Sequence, residues 1–338
     1  MMNLLRLPEL MFELFQTPKI AQTPSEVVYS DYTFKVYHYL PKANQVSSIP
    51  VLIVNSLVNK YYILDLMPGK SYVEYLVNSG LDVYLVDWGS PESSDSILTL
   101  EDYINHFLTN IVKQVLKHSK AKKLSMLGYC MGGTMALMFA ALKQQYLQNL
   151  VLLATPVNFD NDSLLSLWGS PENFNIDKFI DVYGNVPKKV LYSTFMMLKP
   201  LKNITKYVDL AENINEPEYI KVFTAFDYWI KDTIPIAGET FRQFIKYGYQ
   251  QNLLVQNKFP LGNRIIDLKN INCPVLSVVA EHDEIVPLKA SEILIDLISS
   301  KDRQLLKVKG GHHGLSIGMS AVTIVWPKTA EWLLTHNN

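Results

Sequence analysis

Gly128-Tyr129-Cys130-Met131-Gly132-Gly133 decides the fold. The short apolar run Leu124-Ser-Met-Leu127 precedes it and the helix-forming stretch Thr134-Met-Ala-Leu-Met-Phe-Ala140 follows. The hexapeptide therefore joins a strand to a helix through a turn with a thiol at its apex. Such an apex strains the backbone of the central residue and brings helix close to strand. Glycine two positions before and two after the cysteine removes Cβ atoms that would collide there. This is the pattern of a nucleophile elbow, with sulfur in place of a serine hydroxyl. A second reading makes Cys130 a small buried hydrophobe, as most free cysteines are, and the surrounding sequence has to separate the two.

Working outward, Pro50-Val-Leu-Ile-Val54, Asp82-Val-Tyr-Leu-Val86, Leu124 to Leu127, Leu150-Val-Leu-Leu-Ala154 and Val275-Leu-Ser-Val-Val-Ala280 read as strands. Between them, Tyr103, His106, Phe107, Ile111, Val112, Val115 and Leu116 share one helical face, and Lys70 to Asn78 forms another helix around Tyr72, Val73, Leu76 and Val77. Strands without clear alternation, interleaved with helices, predict a mainly parallel sheet covered on both faces. The alternation stops near Pro156 and resumes near Pro274. The interval is rich in Tyr, Phe, Trp and Met and carries helical patterns such as Phe223, Phe226, Asp227 and Ile230. The expected fold is an α/β-hydrolase with a mainly parallel central sheet and a helical cap inserted after the elbow. Its parts are an N-terminal helical segment (residues 1–30), a core (31–155 and 251–338) and a cap (156–250).

Composition narrows the function. The chain has 338 residues, 48% of them hydrophobic, enough for a large core. Its 31 Lys and Arg balance 32 Asp and Glu, which removes the electrostatic case for nucleic acid. With two cysteines, Cys130 and Cys273, no disulfide framework is indicated, and a reducing cytoplasm suits a working thiol. Cys273, before Pro274 at a strand start, reads as an inert packed thiol. Residues Met1 to Phe15 have apolar side chains at helical spacing but are interrupted by Arg6, Pro8, Glu9 and Glu13, unlike a signal peptide. Their spacing predicts a helix that docks a partner or packs on its own domain. Nowhere do eighteen apolar residues run together, so no membrane span is expected.

A cysteine nucleophile needs a base, and the base needs a carboxylate to orient it. In hydrolase chain order the acid follows a late strand and the histidine a later loop. Asp283 lies in Ala280-Glu-His-Asp-Glu-Ile-Val-Pro287, just past a strand, with Glu281 and Glu284 as competitors. His312 lies in the glycine loop Lys309-Gly-Gly-His-His-Gly314, with His313 as competitor. His282 reads as a loop residue near the acid. His38, His106, His118 and His336 lack a glycine loop and read as surface or satisfied core residues. The imidazole and the N-terminus of the following helix would favour the thiolate of Cys130, which suits acyl exchange with thioesters. The oxyanion would be held by the amide of Met131 and by one from Asn55-Ser-Leu-Val58, assigned to Val58. No metal or cofactor is expected.

Several segments together carry a family resemblance: Val58-Asn-Lys-Tyr-Tyr-Ile-Leu-Asp-Leu66, Asp87-Trp-Gly-Ser-Pro91, Gly128-Tyr-Cys-Met-Gly-Gly133, Ala237-Gly-Glu-Thr-Phe-Arg-Gln-Phe244, Asp267-Leu-Lys-Asn270, and the Asp283 and His312 sites. In this order they resemble the catalytic subunit of polyhydroxyalkanoate synthases, and the spacing of the three catalytic positions resembles the short two-subunit classes. The resemblance implies that Cys130 carries the growing (R)-3-hydroxyacyl chain as a thioester. It implies too that His312 deprotonates the thiol and the incoming 3-hydroxyl, and that Asp283 orients His312. The implied substrate is a short-chain (R)-3-hydroxyacyl-CoA such as 3-hydroxybutyryl-CoA. The implied partners are a second synthase subunit, a second copy in a homodimer, and the surface of a polymer granule in the cytoplasm. Two positions depart from the family pattern, Glu284 after the acid and His313 after the base, and both alter the charge around His312. Asp65 and Trp88 fit the motifs but equally suit a helix cap and a core aromatic. A cysteine-dependent esterase or thioesterase, and a non-catalytic scaffold on the same fold, remain as alternatives at this point.

Overall fold

A computed structural model describes residues 16–42 and 46–337. Eight strands form the central sheet: β1 (Ser25–Asp31), β2 (Phe34–Tyr39), β3 (Pro50–Val54), β4 (Asp82–Asp87), β5 (Leu124–Tyr129), β6 (Leu147–Leu153), β7 (Val275–Ala280) and β8 (Arg303–Val308). Their order across the sheet is β1-β2-β4-β3-β5-β6-β7-β8. β2 runs antiparallel to both of its neighbours, and every other pair is parallel.

The apolar runs become central strands because each buries both faces. In β3 every residue is buried: Val51 and Ile53 enter one hydrophobic core, Leu52 and Val54 the other. The first core is closed by α1 (Tyr72–Asn78) and the C-terminal helix, through Tyr72, Leu76, Trp326 and Leu333. The second is closed by α2 (Leu108–Ser119) and α3 (Met131–Lys143). At 1.5–3 kcal/mol for each buried aliphatic side chain, roughly, these two layers hold the sheet rigid under the elbow.

The expected strands and helices are present, with three adjustments. The Lys70–Asn78 helix starts at Tyr72, where the Ser71 side chain caps it by accepting from the Glu74 amide at 2.9 Å. The helix before Ser119 opens with a wide π turn over Asp102–Phe107. The extra residue per turn shifts the phase, so Ile104 and Leu108 are buried while His106, expected on the buried face, is exposed. The sheet also begins inside the stretch assigned to an N-terminal helical segment. β1 starts at Ser25, a half-exposed edge strand whose cross-strand pairing with β2 decides its state. The helical spacing of residues 1–15 lies outside the described residues.

Between β6 and β7 the chain is helical from Leu164 to Gln250. The elements are α4 (Leu164–Gly169), α5 (Ile176–Tyr183), α6 (Lys188–Leu198), α7 (Pro200–Glu212), α8 (Pro217–Lys231), α9 (Gly238–Gln243) and a wide turn Phe244–Gln250. A small apolar core of its own, around Ile176, Ile180, Leu191, Ile236 and Ile245, holds part of this unit together. Arg242 clamps it, donating to Asp177 at 2.8 Å, Asp181 at 2.8 Å and Glu239 at 2.9 Å. Trp229 ties α8 to the body of the molecule by donating to the Lys60 carbonyl at 2.8 Å. The last helix, α10, spans Trp326–His336.

Candidate active site

Cys130 sits at the end of β5 and the start of α3 with φ +55° and ψ −127°, a conformation that side chains rarely adopt. It is held there by its amide, which donates to the Leu153 carbonyl at 2.9 Å, and by its carbonyl, which accepts from Gly133 at 2.8 Å. The flanking glycines are required by contact. A Cβ on Gly128 would strike the Gly133 backbone, and one on Gly132 would strike the carbonyls of Val54 and Asn55. The sequence therefore forces the sulfur out of the sheet plane, with the first turn of α3 behind it.

Asp283 and His312 lie beyond the ends of β7 and β8, and both are buried. His312 Nδ1 and Asp283 Oδ2 are 2.7 Å apart. The other carboxylate oxygen accepts from the amides of Ile285 at 2.9 Å and Val286 at 2.8 Å. Burial alone would raise the Asp283 carboxyl, but His312 and the two amides outweigh it and hold the group below the usual carboxylate range. Burial likewise opposes charge on His312, yet Asp283, Tyr129 and Cys130 together hold its pKa well above the ordinary histidine value. An imidazolium steadied by a buried carboxylate is the partner that negative charge on a nearby sulfur requires.

The competitors of these residues go elsewhere. Glu281 and Glu284 are exposed, and Glu284 pairs with Lys199 at 2.8 Å, linking the Asp283 loop to the α6–α7 junction. His313 packs against Phe226, Trp229 and His312, with ring centroids 5.4, 5.1 and 5.2 Å away. Burial and repulsion from His312 push its pKa down to about 3, so it is neutral. Tyr129, whose hydroxyl burial pushes up to about 12, approaches His313 Nδ1 at 3.4 Å. The two departures from the family pattern thus leave the ion pair of His312 with Asp283 in place. Asp65 and Trp88 are structural. Asp65 accepts from Thr23 at 2.6 Å and Ser71 at 2.7 Å. Trp88 donates to the Asn55 carbonyl at 2.8 Å and so fixes the loop after β3.

Cys130 opens onto two cavities. One, of about 530 Å³, contains His312, His313, Tyr129, Lys199, Lys206 and Asp209 in its walls. The other, of about 470 Å³, is lined by apolar groups such as Trp168, Phe174, Phe241, Phe244 and Tyr249. Cys130, Val58, Phe195 and Ile285 belong to both walls. No hydrogen bond joins Cys130 to His312 among the described residues, although both line the first of these cavities. The Met131 amide lies in the first turn of α3, where amides lack an intrahelical acceptor. The Val58 amide donates to Ser56 Oγ at 3.2 Å. Phe195, Trp229, Ile230 and Ile285, unmarked in the sequence reading as site residues, line the larger cavity. For Phe195, Trp229 and Ile230 the only signal was the aromatic and Met enrichment of the interval, and Ile285, beyond it, carried none.

Comparison with known proteins agrees with the fold. A family profile described as the alpha/beta hydrolase fold matches residues 49–318, and one described as the N-terminus of poly-beta-hydroxybutyrate polymerase (PhaC) matches residues 9–76. The poly(3-hydroxyalkanoate) polymerase subunit PhaC of Allochromatium vinosum is 40% identical over 92% of this chain and 88% of its own length. The chain belongs to the PhaC family of poly(3-hydroxyalkanoate) polymerases. The PhaC subunit of Synechocystis is 37% identical over 93% of this chain and 85% of its own length. That of Haloferax mediterranei is 38% identical over 93% of this chain, which spans 64% of the archaeal protein. As a PhaC polymerase, the chain is an acyltransferase on an α/β-hydrolase scaffold. Among solved structures, a soluble variant of monoglyceride lipase from Saccharomyces cerevisiae has a TM-score of 0.57 at 17% identity, covering 96% of this chain and 97% of its own. The enol-lactonase from Burkholderia xenovorans LB400 has a TM-score of 0.53 at 13% identity, covering 92% and 100%. Both likenesses concern the fold alone. No described helix is long and apolar enough to cross a membrane.

Proposed function

We propose that this chain polymerises (R)-3-hydroxyacyl groups from their CoA thioesters, with Cys130 holding the growing polyester. The observation that carries the reading is Cys130 in the walls of two cavities, one of them shared with the Asp283–His312 pair. The sulfur attacks the thioester carbonyl, and the resulting oxyanion is held by the Met131 amide, joined by Val58 once its amide leaves Ser56. CoA departs as a thiol with the proton from His312. The neutral imidazole then removes the proton from the 3-hydroxyl of the next substrate. That oxygen attacks the acyl-cysteine, an ester bond forms, and the sulfur is freed.

The two cavities divide this work. The larger, with lysine side chains in its wall, takes the hydrophilic CoA thioester. The smaller, apolar one takes the hydrophobic chain and keeps water from the acyl-enzyme. Residues 156–250 act as the cap that closes both. A second synthase subunit, a second copy of the chain and the granule surface are the partners this reading calls for. The test is CoA release from 3-hydroxybutyryl-CoA with and without a candidate partner subunit. Polymer is expected from the native chain, and Cys130→Ala should fold yet lose turnover. Free hydroxy acid in place of polymer would make the chain a thioesterase, and near-native turnover by Cys130→Ala would remove the nucleophile.

A further inference from the structure

A second group of chemically competent side chains lies on the sheet edge. Glu26 on β1 and His38 on β2 are directly paired across the antiparallel ladder, and His118 in the last turn of α2 reaches the same place. One ligand atom from each lies within 4.8 Å of the others. None of the three lines either catalytic cavity.

Each histidine has one ring nitrogen committed and one left over. His38 Nε2 is 2.8 Å from Asp82 Oδ1, which leaves Nδ1 toward Glu26. His118 Nδ1 is 2.8 Å from the Tyr84 hydroxyl, which leaves Nε2. A carboxylate or hydroxyl on the far nitrogen is the support that orients metal-binding imidazoles. The separation of His38 Nδ1 from Glu26 Oε1, 3.5 Å, is long for a hydrogen bond. It matches the roughly 3.4 Å between two ligands of a tetrahedral zinc ion with bonds of about 2.1 Å. No lysine or arginine pairs with Glu26 or Asp82 among the described residues, and His118 stands at the negative end of the α2 dipole. Both features favour a cation.

We propose that Glu26, His38 and His118 bind a borderline divalent cation, zinc or a metal of similar preference, with water as the fourth ligand. Two histidines and a carboxylate with an open position suit such ions better than calcium or magnesium, which prefer all-oxygen sites. The ion would fasten β1 and β2 to the end of α2. A plain ion pair between His38 and Asp82 accounts for one contact of the cluster but not for the convergence of Glu26 and His118.

The test uses the full chain carrying Cys130→Ala, so that the catalytic thiol cannot take the metal. After chelator treatment it is titrated calorimetrically with ZnCl2 alone and its Tm followed, and Co2+ is added to read the coordination geometry. One ion per chain, a rise in Tm of several degrees and a tetrahedral Co2+ absorption spectrum are expected. In Glu26→Gln, an exposed position whose metal-free Tm should be unchanged, and in His118→Ala, which also loses its contact with Tyr84, affinity should fall by at least about 100-fold. In Asp82→Asn it should fall by about 10–100-fold. Absence of saturable uptake, or the same affinity in Glu26→Gln and His118→Ala, would overturn the proposal.

Discussion

At the scale of single residues, the site turns on how one carboxylate controls one imidazole. Asp283→Asn keeps the shape but removes the charge that holds His312 protonated. CoA release should fall by about 10²–10⁴-fold, and the alkaline limb of kcat/KM should move to lower pH, because the imidazolium is then lost sooner. The same pair sets a stability window. The lowered Asp283 contributes above the ordinary carboxylate pKa and loses its effect as acid protonates it. The raised His312 contributes below the ordinary histidine value and loses its effect as pH climbs through its own pKa. The Tm gap between native and Asp283→Asn proteins should therefore be widest between about pH 4 and 6.5 and narrow on either side. His312→Ala should abolish turnover, whereas His313→Ala, which removes a neutral ring, should retain activity within about tenfold. The meeting of Asp283 with His312 was legible because chain order and glycine context restrict both positions. The fates of Glu284 and His313 were not, since they depend on Lys199, Phe226 and Trp229, which the fold alone brings near.

At the scale of elements, the elbow carries the most information per residue. Gly132→Ala would drive a methyl group into the Val54 and Asn55 carbonyls, which are backbone and cannot swing away. Loss of about 3 kcal/mol or more is expected, read as a lower urea midpoint or as insoluble protein. Strands β3 to β7 were equally readable, because burial on both faces writes an unbroken apolar run. Strand β2 and the edge strands β1 and β8 were not: β2 mixes Lys35 and His38 with its apolar residues, β1 is largely exposed and β8 half so, and cross-strand pairing rather than composition decides them. The π turn at Asp102–Phe107 escaped for a related reason, since a 3.6-residue period cannot register one inserted residue.

At the scale of the whole molecule, the sheet supplies rigidity and the helical interval supplies the walls. Arg242→Ala would leave Asp181 and Glu239 of that interval without their cation, while Asp177 keeps only Lys246 at 2.9 Å. Because these groups are partly exposed, the cost should be modest, about 1–2 kcal/mol. Faster amide exchange confined to residues 176–183 and 238–243, with the sheet unaffected, is the measurement that checks it. The cavities themselves could not be read from sequence, because their walls join side chains more than a hundred positions apart.

A lone sulfur bordering two chambers also constrains the material it makes. In the proposed cycle the polyester is, during each addition, briefly an oxygen ester on the newest monomer, off its anchor, and the greasy chamber is what would keep it from drifting away. Every cycle is then a wager between recapture and escape with fixed odds. Chain lengths drawn that way would follow a geometric distribution, indifferent to monomer supply and shortened by any widening of the apolar wall.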